Sequence, residues 1–236
     1  MNPTNQYLDV VLFAALPYVA LVVFFVKGFE RYRENAFTYS SLSTQLLENQ
    51  HHFWALVPFH YGMLTVLTGH LVAFCIPSSV LWWNRVPARL YILEVTALVF
   101  GLLTLLGLLG IVTRRQTNAK VRRVTTRADW LVYTLLLVQV ITGVAVAIWR
   151  PWGSSWFAAA ATPYLRSILW LNPQVGFATA MPLLVKIHLV NMWLLLLIFP
   201  YTRLAHILVI PLQYLWRRMQ VVRWYRRRAV AGRLST

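Results

Sequence analysis

Long stretches of the chain carry almost no polar side chain, and the polar positions fall between these stretches rather than alternating within them. Five apolar runs stand out: Val10 to Val26, Phe53 to Ile76, Leu90 to Thr113, Trp130 to Trp149 and Leu183 to Ile210. They approach or exceed the ~20 residues that an α-helix needs to cross a bilayer. Strands of a membrane barrel would be ~10 residues long and alternating, so the pattern predicts an all-α integral membrane helical bundle with five transmembrane helices. Pro17 lies inside the first span and should kink it. Gly101, Gly107 and Gly110 in the third span permit close approach of a neighbouring helix. The segment from Trp149 to Met181 is also apolar, but Pro151, Pro163 and Pro173 interrupt it. Its Trp149, Trp152, Trp156, Tyr164 and Trp170 suit the headgroup level, which predicts short helices lying along the membrane surface.

Composition agrees with a membrane class: 59% of residues are hydrophobic and 12% charged, about half the charge of a soluble domain. The first span follows Asp9 rather than a basic stretch and runs on into Lys27 and Arg31 without a small-residue cleavage site. It is therefore not read as a removed signal peptide. The net charge of +16 could suggest nucleic acid, but its distribution points elsewhere. Lys27, Arg31 and Arg33 follow span one. Arg114, Arg115, Lys120, Arg122, Arg123 and Arg127 lie between spans three and four, and seven arginines follow span five. The other two connections hold only Arg85 with Arg89, and Arg150 with Arg166. Short basic loops stay in the cytoplasm. That places the N-terminus outside and the C-terminus in the cytoplasm of a prokaryotic cell, the chain being multi-pass in its inner membrane. The basic excess can further attract acidic lipids or an acidic partner, and no nucleic acid is implied. Residues 1–236 read as one domain, with a basic tail from about 212–236. In that tail, PLQYLWRRMQVVRWYRRR suits an interfacial helix, a docking segment for a cytoplasmic subunit, or both.

Against this background FHYGMLTVLTGH raises a chemical question, because a membrane-buried imidazole is costly unless something binds it. His60 and His70 are ten residues apart on span two, ~15 Å along a helix, and cannot ligate one metal. His188 and His206 are eighteen residues apart on span five, about five turns and ~27 Å, with both rings on one helix face. The two spans run in opposite directions. His60 and His206 therefore fall toward the cytoplasmic side, and His70 and His188 toward the outer side. Two imidazole pairs at two depths can clamp two flat ligands, as the axial ligands of haem do. Zinc or copper would want three or four clustered ligands. The single cysteine, Cys75, excludes a C-x-x-C-H attachment, so two non-covalent haems b are expected, with Cys75 a packing residue. Lys186 and Arg203 offer positive partners for haem propionates. His51 and His52 read as solvated residues at the interface. A histidine relay in a transporter would also use intramembrane imidazoles, but it would be favoured by clustered carboxylates or a broken helix, and neither is evident in the sequence. A purely structural anchor has no use for four of them.

These motifs resemble the gamma subunit of membrane-bound respiratory nitrate reductase, a dihaem cytochrome b. The resemblance rests on FHYGMLTVLTGH, RRQTNAKVRRVTTRADW and KIHLVNMWLLLLIFPYTRLAHILVIP, and extends over nearly the whole chain. It implies that His70 and His188 ligate an outer haem and His60 and His206 an inner one. It also implies quinol oxidation near the outer haem, followed by electron transfer to an iron–sulfur beta subunit and a molybdenum-containing alpha subunit on the cytoplasmic side. Gly69 and His70 stand where the family places quinol. The family's quinol-site lysine falls at Arg89, which keeps the charge but not the donor geometry. Arg89 could donate to a quinol oxygen, and Glu94 could accept a proton, or could instead snorkel or pair with a cation. A related dihaem cytochrome b of another quinone-linked complex, for example in sulfur-compound metabolism, would share much of this pattern.

Overall fold

The computed structural model describes residues 3–35 and 52–208, and every regular element among them is helical. Helices α1 (Pro3–Val10) and α2 (Leu16–Asn35), joined by a π-helical turn at Val11–Ala15, form the first span. Next come α3 (His52–Cys75), the short α4 (Pro77–Trp83) and α5 (Pro87–Thr117). Helix α6 (Ala119–Arg123) leads into α7 (Arg127–Trp149). A run of short elements follows: α8 (Gly153–Trp156), a second π-turn at Phe157–Ala161, α9 (Thr162–Leu169) and α10 (Val175–Thr179). It leads into α11 (Leu183–Ile198). The five long helices are the five spans read from the sequence. In space α3 packs on α5, α5 on α7, α7 on α11, and α11 on α2. No more than 28% of the apolar window of any span is buried, so most apolar side chains face outward, as a lipid solvent allows. The bundle thus has a basic end, which carries α6 and its arginines, and a far end, which carries α4 and α8 to α10.

Two prolines, Pro17 and Pro163, have the same local effect. Both π-turns stand just before a proline, Pro17 and Pro163, and each closes with an N–H bond five residues back, from Leu16 to the Val11 carbonyl and from Thr162 to the Phe157 carbonyl. The wider turn makes room for a ring that would otherwise clash with the carbonyl four residues earlier. For Pro17 that carbonyl belongs to Phe13, and the fully buried Tyr164 hydroxyl donates to it at 2.8 Å. Pro77 likewise orphans the Ala73 carbonyl at the end of α3. The Thr162 hydroxyl donates there, and the Arg166 guanidinium donates to the Phe74 and Cys75 carbonyls. The short helices thus cap two spans as well as packing against them. Tyr164→Phe should cost about 1–3 kcal/mol, the penalty for one unsatisfied buried acceptor. A lower midpoint in thermal unfolding of the detergent-solubilised protein checks it, and an unchanged midpoint would show that the bond is dispensable.

Close packing concentrates between α3 and α5. A Cβ at Gly107 would lie 2.8 Å from the Phe59 Cα, and one at Gly62 would lie 2.7 Å from the Phe100 carbonyl oxygen. A Cβ at Gly110 would meet Ala55 at 3.1 Å, whereas at Gly101 it would make ordinary contact with Val144 at 3.4 Å. Of the three glycines expected to admit a neighbour, Gly107 is therefore the demanding one.

The last span departs from expectation. The continuous helix ends at Ile198 rather than reaching Ile210, and 3₁₀ turns follow at Phe199–Tyr201 and Arg203–Leu208, separated by extended Thr202. Pro200 is the cause: it has no N–H for the Leu196 carbonyl, which instead takes the Phe199 N–H in a tighter turn. His206 therefore sits on its own short element, and the one-face relation with His188 does not survive the break. Arg31 of α2 holds the break by donating to the Pro200 carbonyl at 2.6 Å and the Thr202 carbonyl at 2.8 Å. Two further expectations change. Cys75 is exposed at the end of α3 rather than packed. Arg114 and Arg115 are buried in the last turn of α5 rather than in a loop, with Arg115 over the Tyr133 ring at 5.0 Å. His51 and the basic tail lie outside the described residues.

Candidate functional site

His60 and His70 lie on α3, and in each the ring Nδ1 is 2.8 Å from the carbonyl four residues back, that of Leu56 and of Val66. A carbonyl can only accept, so Nδ1 carries the proton and the lone pair stands on Nε2. His206 Nδ1 meets the Arg203 carbonyl at 2.5 Å, with the same consequence. An imidazole whose Nδ1–H is engaged and whose Nε2 is basic is the form that ligates metals.

His188, half-buried on α11, is held differently. Its Nδ1 faces the Thr142 hydroxyl at 2.9 Å, and its Nε2 faces the Gln139 side-chain amide nitrogen at 3.0 Å. Both partners are on α7. Asn191, one turn along α11, donates to the Gln139 Oε1 at 2.7 Å and to the Leu135 carbonyl at 2.9 Å. Gly143 lets the ring lie against α7, since a Cβ there would come within 3.0 Å of the His188 Cε1. His70 is within electrostatic reach of His188 and packs edge-on against Phe157, with ring centroids 5.1 Å apart. The sequence reading missed Gln139, Thr142, Gly143 and Asn191. The signal was present: Gln139, Thr142 and Gly143 recur at the i, i+3, i+4 spacing of one helix face in an otherwise apolar span.

At the far end, the Arg89 guanidinium rests over the rings of Trp82 and Trp83 at 5.5 and 5.1 Å, and the Trp83 indole N–H donates to the Arg89 carbonyl. Glu94 does not pair with Arg89. Its carboxylate accepts from the Gly153 N–H, the Ser154 N–H and the Ser154 hydroxyl, at 3.2, 2.8 and 2.5 Å. Glu94 thus caps the start of α8, where Trp152 adopts a left-handed backbone. Asn84 adds to this cluster by donating to Ser154 and Ser155. Gly69 is exposed, and nothing would lie within 4 Å of a Cβ there.

At the basic end, Arg203 contacts the buried Asp129 at 3.3 Å and donates to the Val124 carbonyl. Asp129 also closes a capping box with Thr126 at the start of α7. Arg203, expected beside a propionate, is thus engaged by a protein carboxylate. Lys186 is half-buried two residues before His188, a spacing that turns it to the opposite side of α11.

The model of the nitrate reductase gamma subunit family matches residues 9–225. The chain belongs to that family. It is 30% identical to the respiratory nitrate reductase 2 gamma chain of Escherichia coli (strain K12), over 92% of this chain and 98% of that one. It is 28% identical to the nitrate reductase gamma chain of Bacillus subtilis (strain 168), over 90% and 97% of the two chains. Over 91% of its length it is 29% identical to the nitrate reductase-like protein NarX of Mycobacterium tuberculosis, of which it spans 34%. As a gamma subunit the chain is a multi-pass membrane protein, the membrane cytochrome b subunit of nitrate reductase, an oxidoreductase complex with further subunits. The family implies haem, and the donor set fits it. Among the described residues no three His, Cys, Asp or Glu side chains gather as a metal cluster. Three of these four imidazoles present a free Nε2, and small residues, Gly69 and Gly143, stand beside His70 and His188.

Proposed function

We propose that this gamma subunit oxidises quinol at the far end of the bundle and delivers electrons at the basic end. His70 with His188, and His60 with His206, would each hold one haem b. When bound, the haems supply a one-electron relay from quinol to the iron–sulfur beta subunit, and from there to the molybdenum-containing alpha subunit. The observation that carries the reading is the shared tautomer of His60, His70 and His206, each with its Nδ1–H engaged by a backbone carbonyl and its Nε2 free to ligate. The basic end faces the cytoplasm by the distribution of short-loop arginines, so the N-terminus lies outside and the partner subunits dock inside. Lys186 and the basic tail are the chain's further cations toward propionates and partners.

Arg89 is proposed to bind quinol. Trp82 and Trp83 hold its guanidinium, and the exposed Gly69 leaves room for a flat ring beside His70. Glu94 is proposed to take the quinol proton, its place fixed by the start of α8. Each charge carried across 100 mV corresponds to ~2.3 kcal/mol, so proton release outside with electron flow inward makes the step electrogenic. A reduced-minus-oxidised optical spectrum tests for haem. Haem reduction by a quinol analogue tests the site: Arg89→Ala should keep full haem content and reduce at least about tenfold more slowly, the effect of ~1.4 kcal/mol. An unchanged rate removes Arg89 from the site. Unchanged reduction in a variant lacking the outer haem moves the site to the basic end.

A further inference from the structure

We infer that Thr142 is a positioning residue for His188, acting from a neighbouring helix to set the basicity of that imidazole and hence the reduction potential of the haem it holds. The inference rests on the proposed ligation by His188. The directions of the hydrogen bonds are settled by donor and acceptor chemistry. The Thr142 hydroxyl lies 2.6 Å from the Val138 carbonyl, four residues back on its own helix, and has only one proton to give. Donating it there leaves the hydroxyl oxygen as the acceptor for the His188 Nδ1–H at 2.9 Å. At the other end of the chain, Asn191 donates to the Gln139 Oε1, which turns the Gln139 NH₂ toward the His188 Nε2 lone pair. Every member of the chain from the Leu135 carbonyl to the Val138 carbonyl has a defined direction. His188 is thereby held as the Nδ1–H tautomer, and the Gln139 amide that donates to its Nε2 lone pair must turn aside for that lone pair to ligate iron.

His188 thereby differs from the other three proposed ligands. His60, His70 and His206 give their Nδ1–H to backbone carbonyls of their own elements, acceptors that no side-chain substitution removes. Of these four, His188 alone gives it to a side chain, and that side chain belongs to α7 rather than α11. Thr142 is buried, so loss of its hydroxyl leaves the Nδ1–H without a partner in a site that water does not readily replace. An acceptor on Nδ1 raises the basicity of Nε2, and a more basic ligand favours the oxidised, more positive iron. Removing the acceptor should therefore raise the potential of one haem and leave the other unchanged.

The test is a potentiometric titration of the haem optical bands in the purified complex, with haem content measured on the same samples. His188→Ala first identifies the component that His188 holds, and its loss supports the ligation itself. Thr142→Val and Thr142→Ala should then keep that component and raise its potential by 59 mV or more, a tenfold change in a one-electron equilibrium. Thr142→Ser should restore the original value. Thr134→Val, which removes a different hydroxyl from α7, should change nothing. If Val and Ala instead lose the component and Ser retains it, the hydroxyl is still shown to position the ligand. Full haem content with an unshifted or lowered potential in Val and Ala overturns the role of Thr142 and leaves the ligation standing. An unaltered spectrum in His188→Ala overturns the ligation instead.

Discussion

Alanine at His70 or His188 is expected to remove one haem component, and alanine at His60 or His206 the other, so four substitutions should fall into two classes. The motive is depth. Helices α3 and α11 run in opposite directions, which brings His60 with His206 toward the basic end and His70 with His188 toward the far end. A haem b held only by its axial ligands and an apolar pocket has no covalent link to retain it when a ligand is lost. Each variant should therefore lose about half of its haem rather than show a graded loss. Haem content with potentiometric titration of each variant measures this. Loss of the same component from His70→Ala and His206→Ala would refute the pairing. The break at Pro200 makes His206→Ala the sharpest member of the set, because its ring no longer shares a continuous helix with His188.

The second large effect is structural. Gly107→Ala should lower stability by about 1–3 kcal/mol or more, because the new methyl meets backbone that no rotamer change can move aside. The Phe59 Cα would stand 2.8 Å away, and His60 is the next residue. Separation of α3 from α5 should therefore also lower occupancy of the His60 component. Gly101→Ala, whose Cβ would make only an ordinary 3.4 Å contact with Val144, serves as the matched control. Thermal unfolding of the two variants side by side decides the matter. Equal midpoints would mean that α3 and α5 do not depend on the close approach at Gly107.

How much of this was legible in the chain depends on the range of the cause. The five spans and their approximate limits, apart from the end of the fifth, follow from lipid as a solvent, which demands an apolar run and internally satisfied backbone, and the short helices between Trp149 and Met181 follow from the prolines there. That demand is local, and a local pattern records it. Pro17 announced a distortion but not its form. The π-turn, and the Tyr164 hydroxyl that answers the orphaned Phe13 carbonyl, come from a residue 151 positions away. Pro200 was equally visible, yet its run of apolar neighbours read as continuous helix. The consequence depends on Arg31 of α2 accepting the role of partner to the freed carbonyls.

The site divides along the same line. Histidine spacing and the alternation of basic and neutral connections are one-dimensional quantities, and by themselves they determined the class of the protein, its family resemblance and the four imidazoles. Which groups surround each imidazole is a question of helix rotation and of which helices are neighbours, and only the packed bundle decided it. It set Arg203 on Asp129, Glu94 on the start of α8, and His188 between Thr142 and Gln139. The physical reason is reach. A hydrogen bond acts over about 3 Å, so its partner is named by three-dimensional proximity, whereas the cost of placing a polar group in lipid is felt by every residue of a span and is written along its whole length.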